Sequence, residues 1–151
     1  MEGPKTILII DDEEILRSLV RAVVSSEAAL GDYGIEEADT VDQGRGIYMA
    51  RRPSLVITDN NTKSDYTGLR FIKEAQELEA SQGRIVTPFC LFCADADIIE
   101  LGKLAYSEVE RVKKADLEGG DLKPKFRYFE KSRAPVSAIK TYALESLGLK
   151  K

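Results

Sequence analysis

Residues 6–14 consist of the apolar run Thr6-Ile-Leu-Ile-Ile10 followed directly by four acids, Asp11-Asp12-Glu13-Glu14. Five consecutive residues of this kind predict a strand that is buried on both faces. Apolar residues then recur at helical spacing, at Ile15, Leu16, Leu19, Val20, Val23 and Val24. A buried strand that leads directly into an amphipathic helix is typical of α/β proteins with a parallel sheet.

Four further strand–helix units follow along the chain. The later strands are predicted at residues 34–38, 55–58, 88–93 and 126–130. The helices are predicted at 41–51, over the apolar spacing 69–78, at about 97–117 and from Pro135 onward. Five repeats favour an open, doubly wound sheet, because a closed α/β barrel needs eight. We therefore expect one three-layer α/β/α domain that spans residues 1–151.

The composition limits the classes of protein to which the chain can belong. Its 151 residues suit a single domain, and 43% of them are hydrophobic, which is enough for a substantial core. The absence of histidine excludes Ser-His and Cys-His nucleophile pairs, His-ligated zinc and a phosphohistidine on this chain. Two cysteines cannot form a disulfide-rich scaffold, and with no export signal or long apolar segment they indicate a cytoplasmic setting.

The charge is distributed unevenly around a formal net charge of −4. Residues 1–40 hold ten acids and three bases, whereas residues 111–151 hold five acids and eleven bases. An acidic chain is a poor candidate for nucleic-acid binding, so the basic C-terminal part is interpreted as a solvated surface. We expect the domain by itself to bind neither nucleic acid nor membranes.

Charged side chains stand directly after three of the predicted strands. Asp11 and Asp12 follow the first strand, Asp59 the third and Lys131 the fifth, while Cys93 ends the fourth. Ligands of open α/β sheets bind at the carboxyl ends of the strands, so these groups should meet at one edge. Clustered carboxylates favour a hard cation such as Mg²⁺, and a neighbouring lysine can hold a phosphate. Asp59 stands alone at its strand end, which makes it the candidate nucleophile on phosphorus.

Each of these residues also has a simpler interpretation. Acids at the start of the first helix favour the helix dipole, and capping of this kind is the role that we assign to Glu13 and Glu14. Asp59 can be a turn residue in Asp59-Asn60-Asn61, and Lys131 can be a solvated surface lysine. It is much less plausible that charged residues follow three strands by coincidence than that they form one shared site. The sequence therefore favours a joint metal and phosphate site.

The sequence carrying these groups resembles the receiver domain of two-component response regulators over nearly its whole length. Four segments carry the resemblance: Ile-Leu-Ile-Ile-Asp11-Asp12-Glu-Glu, Leu-Val-Ile-Thr-Asp59 with Gly68 downstream, Thr-Pro-Phe-Cys-Leu-Phe-Cys93-Ala94, and Tyr128-Phe-Glu-Lys131. The resemblance implies a flavodoxin-like fold with five parallel strands in the order 2-1-3-4-5. It also implies a phosphoacceptor signalling domain that catalyses its own phosphorylation and dephosphorylation, rather than an enzyme with a separate substrate.

The resemblance implies a role for each residue of the acidic site. Asp59 would accept a phosphoryl group from a phosphohistidine on a histidine kinase or a histidine phosphotransfer protein. Mg²⁺ (or Mn²⁺) would be held by Asp12, Asp59 and the backbone carbonyl of Asn61, with Asp11 bound through water. Lys131 would pair with the phosphoryl group.

Further positions would tune or transmit the modification by the same resemblance. Cys93 stands at the switch position, Tyr128 matches the switch aromatic, and Asn61 and Asp95 would influence the attack of water on the acyl phosphate. The preference of tyrosine for strands explains Tyr128 equally well. The face that runs from the predicted fourth helix, at about residues 97–117, to the fifth strand would serve a homodimer or a downstream protein.

Departures from the family pattern lie around the predicted phosphoryl position. Cys93 replaces the usual threonine or serine, and a thiol is a weak hydrogen-bond donor. Ser132 replaces the usual proline after the lysine, where a cis peptide bond would be costly. These two substitutions keep open the alternative of a receiver-like interaction module that acts without phosphorylation.

Two loops also differ in length or composition from the family pattern. The loop after Asp59 has Lys63 in place of a proline and reaches Gly68 one residue late. Thirty-seven residues separate Cys93 from Lys131, which enlarges the region of about residues 95–125.

Other classes of function have less support. A phosphohydrolase that forms an aspartyl phosphate would need a second aspartate two residues after Asp59, where Asn61 stands. A flavodoxin would share the fold, but a shared fold alone is weak evidence for function. Cys90 and Cys93 form a C-x-x-C motif inside a predicted strand, where they should point to opposite faces, so we interpret them as structural.

Overall fold

The computed structural model describes residues 5–62, 65–83, 87–93, 102–103, 108, 125–131 and 136–149. The strands within these segments are β1 (Thr6–Ile10), β2 (Gly34–Ala38), β3 (Leu55–Thr58), β4 (Phe89–Cys93) and β5 (Phe126–Glu130). The helices bounded within them are α1 (Glu14–Ser25), α2 (Val41–Arg51), α3 (Gly68–Ser81) and α4 (Ser137–Ser146). Residues 102–103 and 108, inside the predicted long helix, are also helical.

The five strands form one parallel sheet in the order β2-β1-β3-β4-β5. The register places Ile10 beside Ala38 on one side and beside Thr58 on the other. β1, β3 and β4 are buried along their whole length, which explains their continuous apolar sequences. The predicted flavodoxin-like fold and its strand order are confirmed.

Alternate side chains of each central strand enter two different core layers. Leu8 and Ile10 of β1 pack with residues of α2 and α3, whereas Ile7 and Ile9 pack with residues of α1 and α4. Each fully buried aliphatic side chain of this size contributes about 1.5–3 kcal/mol through burial. The two cysteines follow the same alternation, since Cys90 lies in one layer and Cys93 in the other.

Threonine side chains cap the N-termini of two helices. The Thr40 side chain accepts a hydrogen bond from the Gln43 N–H at the start of α2, and Thr67 accepts one from the Arg70 N–H at the start of α3. Helix α3 ends at Ser81, and Gly83 then adopts a positive φ of 77°. These bounds include the whole of the predicted apolar spacing 69–78.

Helix α1 buries a narrower face than its apolar spacing suggests. Val20 and Val24 are buried, but Ile15 is 77% exposed and Leu19 is 47% exposed. Contacts with the sheet and with α4 therefore use only part of the apolar stripe. The apolar periodicity predicts helix α1 correctly, but the width of its apolar stripe overstates how much of the helix surface is buried.

Several predictions concern residues outside the described segments. They include most of the long helix at 97–117, the enlarged region of about 95–125 apart from residues 102–103, 108 and 125, and the Pro135 start of the last helix. Among the segments that the structure describes, no helix is long and apolar enough to cross a membrane.

Candidate functional site

The carboxyl edge of the sheet carries the charged residues that follow β1, β3 and β5. The sheet hydrogen bonds continue one residue past each strand: Asp11 N–H donates to the Ala38 carbonyl at 3.1 Å, and Asp59 N–H donates to the Ile10 carbonyl at 2.8 Å. Lys131 N–H donates to the Cys93 carbonyl at 3.0 Å. The backbone of each charged residue is thus fixed by the sheet itself.

Lys131 lies between carboxylates that come from two other strand ends. Its Nζ is 3.0 Å from Asp11 Oδ2, 3.3 Å from Asp59 Oδ2 and 3.1 Å from Glu13 Oε1. The lysine side chain is 12% exposed, so these contacts occur in a largely desolvated place. Burial lowers the pKa of Lys131, but the hydrogen bond and charge of Asp11 together with Asp59 and Glu13 outweigh it and raise the pKa overall.

Four carboxylates gather at this edge. Oxygen atoms of Asp11, Asp12, Glu13 and Asp59 all lie within 4.8 Å of one another. Asp11 and Asp59 are buried, and Asp12 is half-buried. One ammonium cannot neutralise four carboxylates, and a cluster of hard oxygen donors is the kind of site that suits Mg²⁺ or Mn²⁺. The donor set therefore fits a divalent cation.

The buried carboxylates have perturbed acidity. Burial, followed by the charge of Asp11, raises the pKa of Asp59 to about 6, while Lys131 opposes the rise. Burial also raises the pKa of Asp11, against the hydrogen bond from the Glu13 N–H and the contact with Lys131. Both carboxylates therefore favour a neighbouring positive charge beyond the one that Lys131 provides.

The backbone after Asp59 is held tightly against the start of α3. Asn60 N–H donates to Asp59 Oδ1 at 2.7 Å, and the Asn60 side-chain oxygen accepts from the Leu69 N–H at 2.9 Å. The Asn60 carbonyl also accepts from the Gly68 N–H at 2.8 Å. A Cβ atom on Gly68 would collide with the Asp59 carbonyl, so a glycine is needed at this close approach.

Asn60 helps to hold the site together, although the sequence interpretation treated it only as part of a turn. Its amide caps the N-terminus of α3 and so joins the aspartate loop to that helix. The signal was present, because an asparagine directly after a strand-end aspartate is suited to local hydrogen bonding. Its burial to 5% exposure was not visible in the sequence.

Glu13 does not cap α1, contrary to the prediction. It occupies the N-cap position, but its side chain makes no capping hydrogen bond and instead contacts Lys131. The partner of the Glu13 side chain is thus a lysine ammonium 118 residues away in sequence. Glu14 does lie in the first turn of α1, as predicted.

Arg17 is a second residue that the sequence interpretation missed. Its guanidinium donates to the Asp11 carbonyl at 2.7 Å and to Glu37 Oε1 at 3.2 Å. It therefore links β2 to the loop that carries the acid pair. The apolar spacing of α1 gave no reason to single it out, because its partners come from other elements.

Three further predicted site residues lie within the described part of the chain. Cys93 is buried at the end of β4 within the core layer of α2 and α3, and Tyr128 is half-buried against the same layer. Asn61 is exposed in the loop after Asp59. Asp95 and Ser132 lie outside the described residues.

Comparison with known proteins identifies the fold. No protein-family model matches the chain, and no curated protein matches it in sequence. Among solved structures, a CheY-like response regulator receiver domain protein from Methanospirillum hungatei is 17% identical, with a TM-score of 0.65 and coverage of 97% of this chain and 95% of that one.

Two further receiver domains match over almost the whole chain. One from Clostridium thermocellum is 14% identical, with a TM-score of 0.61 and coverage of 95% and 94% of the two chains. The signal receiver domain of an HD domain-containing protein from Pseudomonas fluorescens is 17% identical, with a TM-score of 0.64 and coverage of 95% and 94%. The chain therefore has the fold of response regulator receiver domains, as the sequence resemblance implies.

Proposed function

We propose that this protein is a response-regulator receiver that accepts a phosphoryl group on Asp59 with the help of Mg²⁺ (or Mn²⁺). The observation that carries the proposal is the contact of Lys131 Nζ with Asp59 Oδ2 at 3.3 Å, inside a cluster of four carboxylates. A nucleophilic carboxylate, a fixed cation and a set of hard oxygen donors are the elements that phosphoryl transfer to an aspartate requires. The receiver fold agrees with this use of the strand ends.

The phosphoryl donor is a phosphohistidine on another protein. The chain contains no histidine, so a phosphohistidine donor lies on another molecule, and we propose a histidine kinase or a histidine phosphotransfer protein. In the transfer, an oxygen of Asp59 forms a bond to phosphorus and the nitrogen–phosphorus bond of the donor breaks. The electron pair returns to the imidazole, which takes up a proton from solvent.

The residues of the strand ends divide the remaining work. Asp12, Asp59 and the backbone carbonyl of Asn61 would hold the cation, with Asp11 acting through water. When bound, the cation neutralises charge on the phosphoryl oxygens. Lys131 supplies a second positive charge to the phosphoryl group.

Signalling follows from a conformational change after phosphorylation. Cys93 and Tyr128 are proposed as the switch pair, and Asn61 and Asp95 as residues that tune hydrolysis of the acyl phosphate. Tyr128 is half-buried, which is compatible with a side chain that has an inward and an outward rotamer. We place this role in a cytoplasmic single domain of residues 1–151, with a homodimer or a downstream protein at the face that runs from the predicted helix at about 97–117 to β5.

The proposal is tested with acetyl phosphate and Mg²⁺. Wild-type protein should gain an alkali-labile phosphoryl group at a rate that depends on Mg²⁺. Asp59→Asn should not be labelled, and Asp12→Asn should be labelled slowly because a cation ligand is lost. Asp42→Asn is the matched control, since Asp42 is an exposed acid on α2. Labelling of the wild-type and Asp59→Asn proteins to the same extent would contradict the proposal.

One alternative has an observation of its own. Cys93 is buried within the core layer, and a thiol is a weak donor toward a phosphoryl oxygen. A receiver-like interaction module that acts without phosphorylation would need no donor there. Complete absence of Mg²⁺-dependent labelling would favour this module, and Cys93→Thr should then leave the protein equally unlabelled.

A further inference from the structure

Lys131 has no spare hydrogen-bonding capacity in the unmodified protein. An ammonium carries three N–H donors, and Asp11, Glu13 and Asp59 each present an oxygen between 3.0 and 3.3 Å from Nζ. A phosphoryl oxygen that is to pair with Lys131 must therefore displace one of these carboxylates.

The three carboxylates differ in how firmly they are held. Asp59 is the phosphoacceptor itself, so it stays at the reaction centre. Asp11 is 4% exposed, and its second oxygen accepts the Glu13 N–H at 2.9 Å. The Glu13 side chain is 60% exposed. Since an exposed ion pair is weak and a long side chain gains rotamer freedom in water, Glu13 is the contact that can open.

We propose that the Glu13 carboxylate occupies the phosphoryl-binding position of Lys131 in the unmodified protein and so restrains phosphorylation of Asp59. The inference rests on the proposed function. Glu13 acts through Lys131 and through its negative charge, which repels an anionic donor close to the point of attack. It is a positioning residue whose displacement accompanies entry of the phosphoryl group.

The kinetic test compares Glu13→Gln with Glu14→Gln, which makes the same change of charge at the next, also exposed, residue. Initial labelling rates are measured against acetyl phosphate concentration at one Mg²⁺ concentration. We expect Glu13→Gln to label about threefold to tenfold faster at low donor concentration, the size of effect that an exposed charge pair allows. The gain should lie mainly in a lower half-saturating concentration, and Glu14→Gln should stay within twofold of wild type.

A second readout needs neither metal nor phosphodonor. With EDTA present, the protein is treated with an amine-acetylating succinimidyl ester, and acetylation of Lys131 is followed by peptide mass spectrometry. Removal of the covering carboxylate should increase acetylation of Lys131 several-fold relative to exposed Lys73 in the same sample. Glu13→Ala, which removes the acceptor entirely, should give at least the effect of Glu13→Gln.

The outcomes separate the two proposals. If wild type is labelled but Glu13→Gln and Glu13→Ala match Glu14→Gln in labelling rate, the inference is wrong and the proposed function stands. A rise in Lys131 acetylation without a rise in labelling rate also overturns the inference, because the contact would then exist without restraining the reaction. Absence of labelling in wild type as well as in every variant would instead refute the proposed function, and the inference with it.

Discussion

The acids and the lysine of the site come from different parts of the sheet. Asp11 and Asp59 follow β1 and β3, central strands that are paired on both sides and buried throughout. Lys131 follows β5, an edge strand that is only partly buried after its first residue. The acidic half is therefore fixed by the core, whereas the cationic half rests on one neighbouring strand and on its ion pairs.

The difference indicates how such a site can be both ordered and responsive. A nucleophile and a cation site need fixed geometry, which the central strands supply. A lysine that must exchange a carboxylate for a phosphoryl oxygen benefits from a less constrained strand. Four predictions test this contrast between the two halves.

Lys131→Ala should produce the largest effect. It leaves Asp11 and Asp59 close together without their shared cation, and we expect a loss of about 2 kcal/mol in the free energy of unfolding at pH 7. Urea unfolding in EDTA measures it. The loss should shrink at pH 5, where protonation of Asp59 relieves the repulsion. Lys140→Ala on α4 is the control, and an equal loss in both variants would contradict the account.

Gly68→Ala should displace the loop that follows β3 through a steric clash, and so disturb the acidic half of the site. A methyl group at this position meets backbone atoms of Asp59 and Asn60, which cannot move away as a flexible side chain could. We expect about 1–2 kcal/mol of destabilisation together with weaker Mg²⁺ binding. Gly46→Ala is the matched control in α2, where a Cβ atom meets nothing within 4 Å and the change should stabilise by up to about 1 kcal/mol. Wild-type stability and Mg²⁺ affinity in Gly68→Ala would show that the close approach is unimportant.

Asp59→Asn should stabilise the metal-free protein above pH 6. The pKa of Asp59 is raised from 3.8 to about 6 in the folded chain, so the folded chain binds the proton more tightly than the unfolded chain. The free energy of unfolding of the wild type therefore falls as the pH rises from about 4 to about 6. Denaturation in EDTA should show Asp59→Asn more stable by about 1–2 kcal/mol at pH 7 and no different below pH 4. Lower stability of the variant at pH 7 would contradict this.

Arg17→Met should have the smallest effect of the four. It removes the donor to the Asp11 carbonyl and the link to Glu37, at a cost of about 1 kcal/mol in stability. We expect a several-fold loss of Mg²⁺ affinity in calorimetric titration, because the loop with Asp11 and Asp12 becomes less ordered. Arg21→Met is the control, since Arg21 contacts Glu37 but has a half-exposed side chain. Equal Mg²⁺ affinities in the two variants would remove Arg17 from the site.

The sequence predicts the sheet well because each strand can be recognised from its own local sequence. β1, β3 and β5 have the predicted bounds, since each is a short β-favouring run that ends at a charged or turn-forming residue. Helix α1 was predicted by its spacing, but Ile15 and Leu19 are exposed. Which apolar residues a helix buries depends on its neighbours, and that information is not local.

The same distinction applies to the site. Ligands of open α/β sheets bind at the carboxyl ends of the strands, and this rule predicts from the sequence alone that Asp11, Asp59 and Lys131 lie close together. The contacts of Glu13 with Lys131 and of Arg17 with Glu37 join residues that are 118 and 20 positions apart. Local patterns assign such side chains to helix caps or solvent, and only the packed structure reveals their partners.

The central claim is that Asp59 forms an acyl phosphate, and the most direct measurement identifies the modified residue chemically. Protein treated with acetyl phosphate and Mg²⁺ is reduced with borohydride, which converts an aspartyl phosphate into homoserine, and is sequenced by tandem mass spectrometry. The account predicts homoserine at position 59, dependent on Mg²⁺ and on the phosphodonor. Homoserine at another aspartate, or none at position 59 under conditions that label the protein, would contradict it.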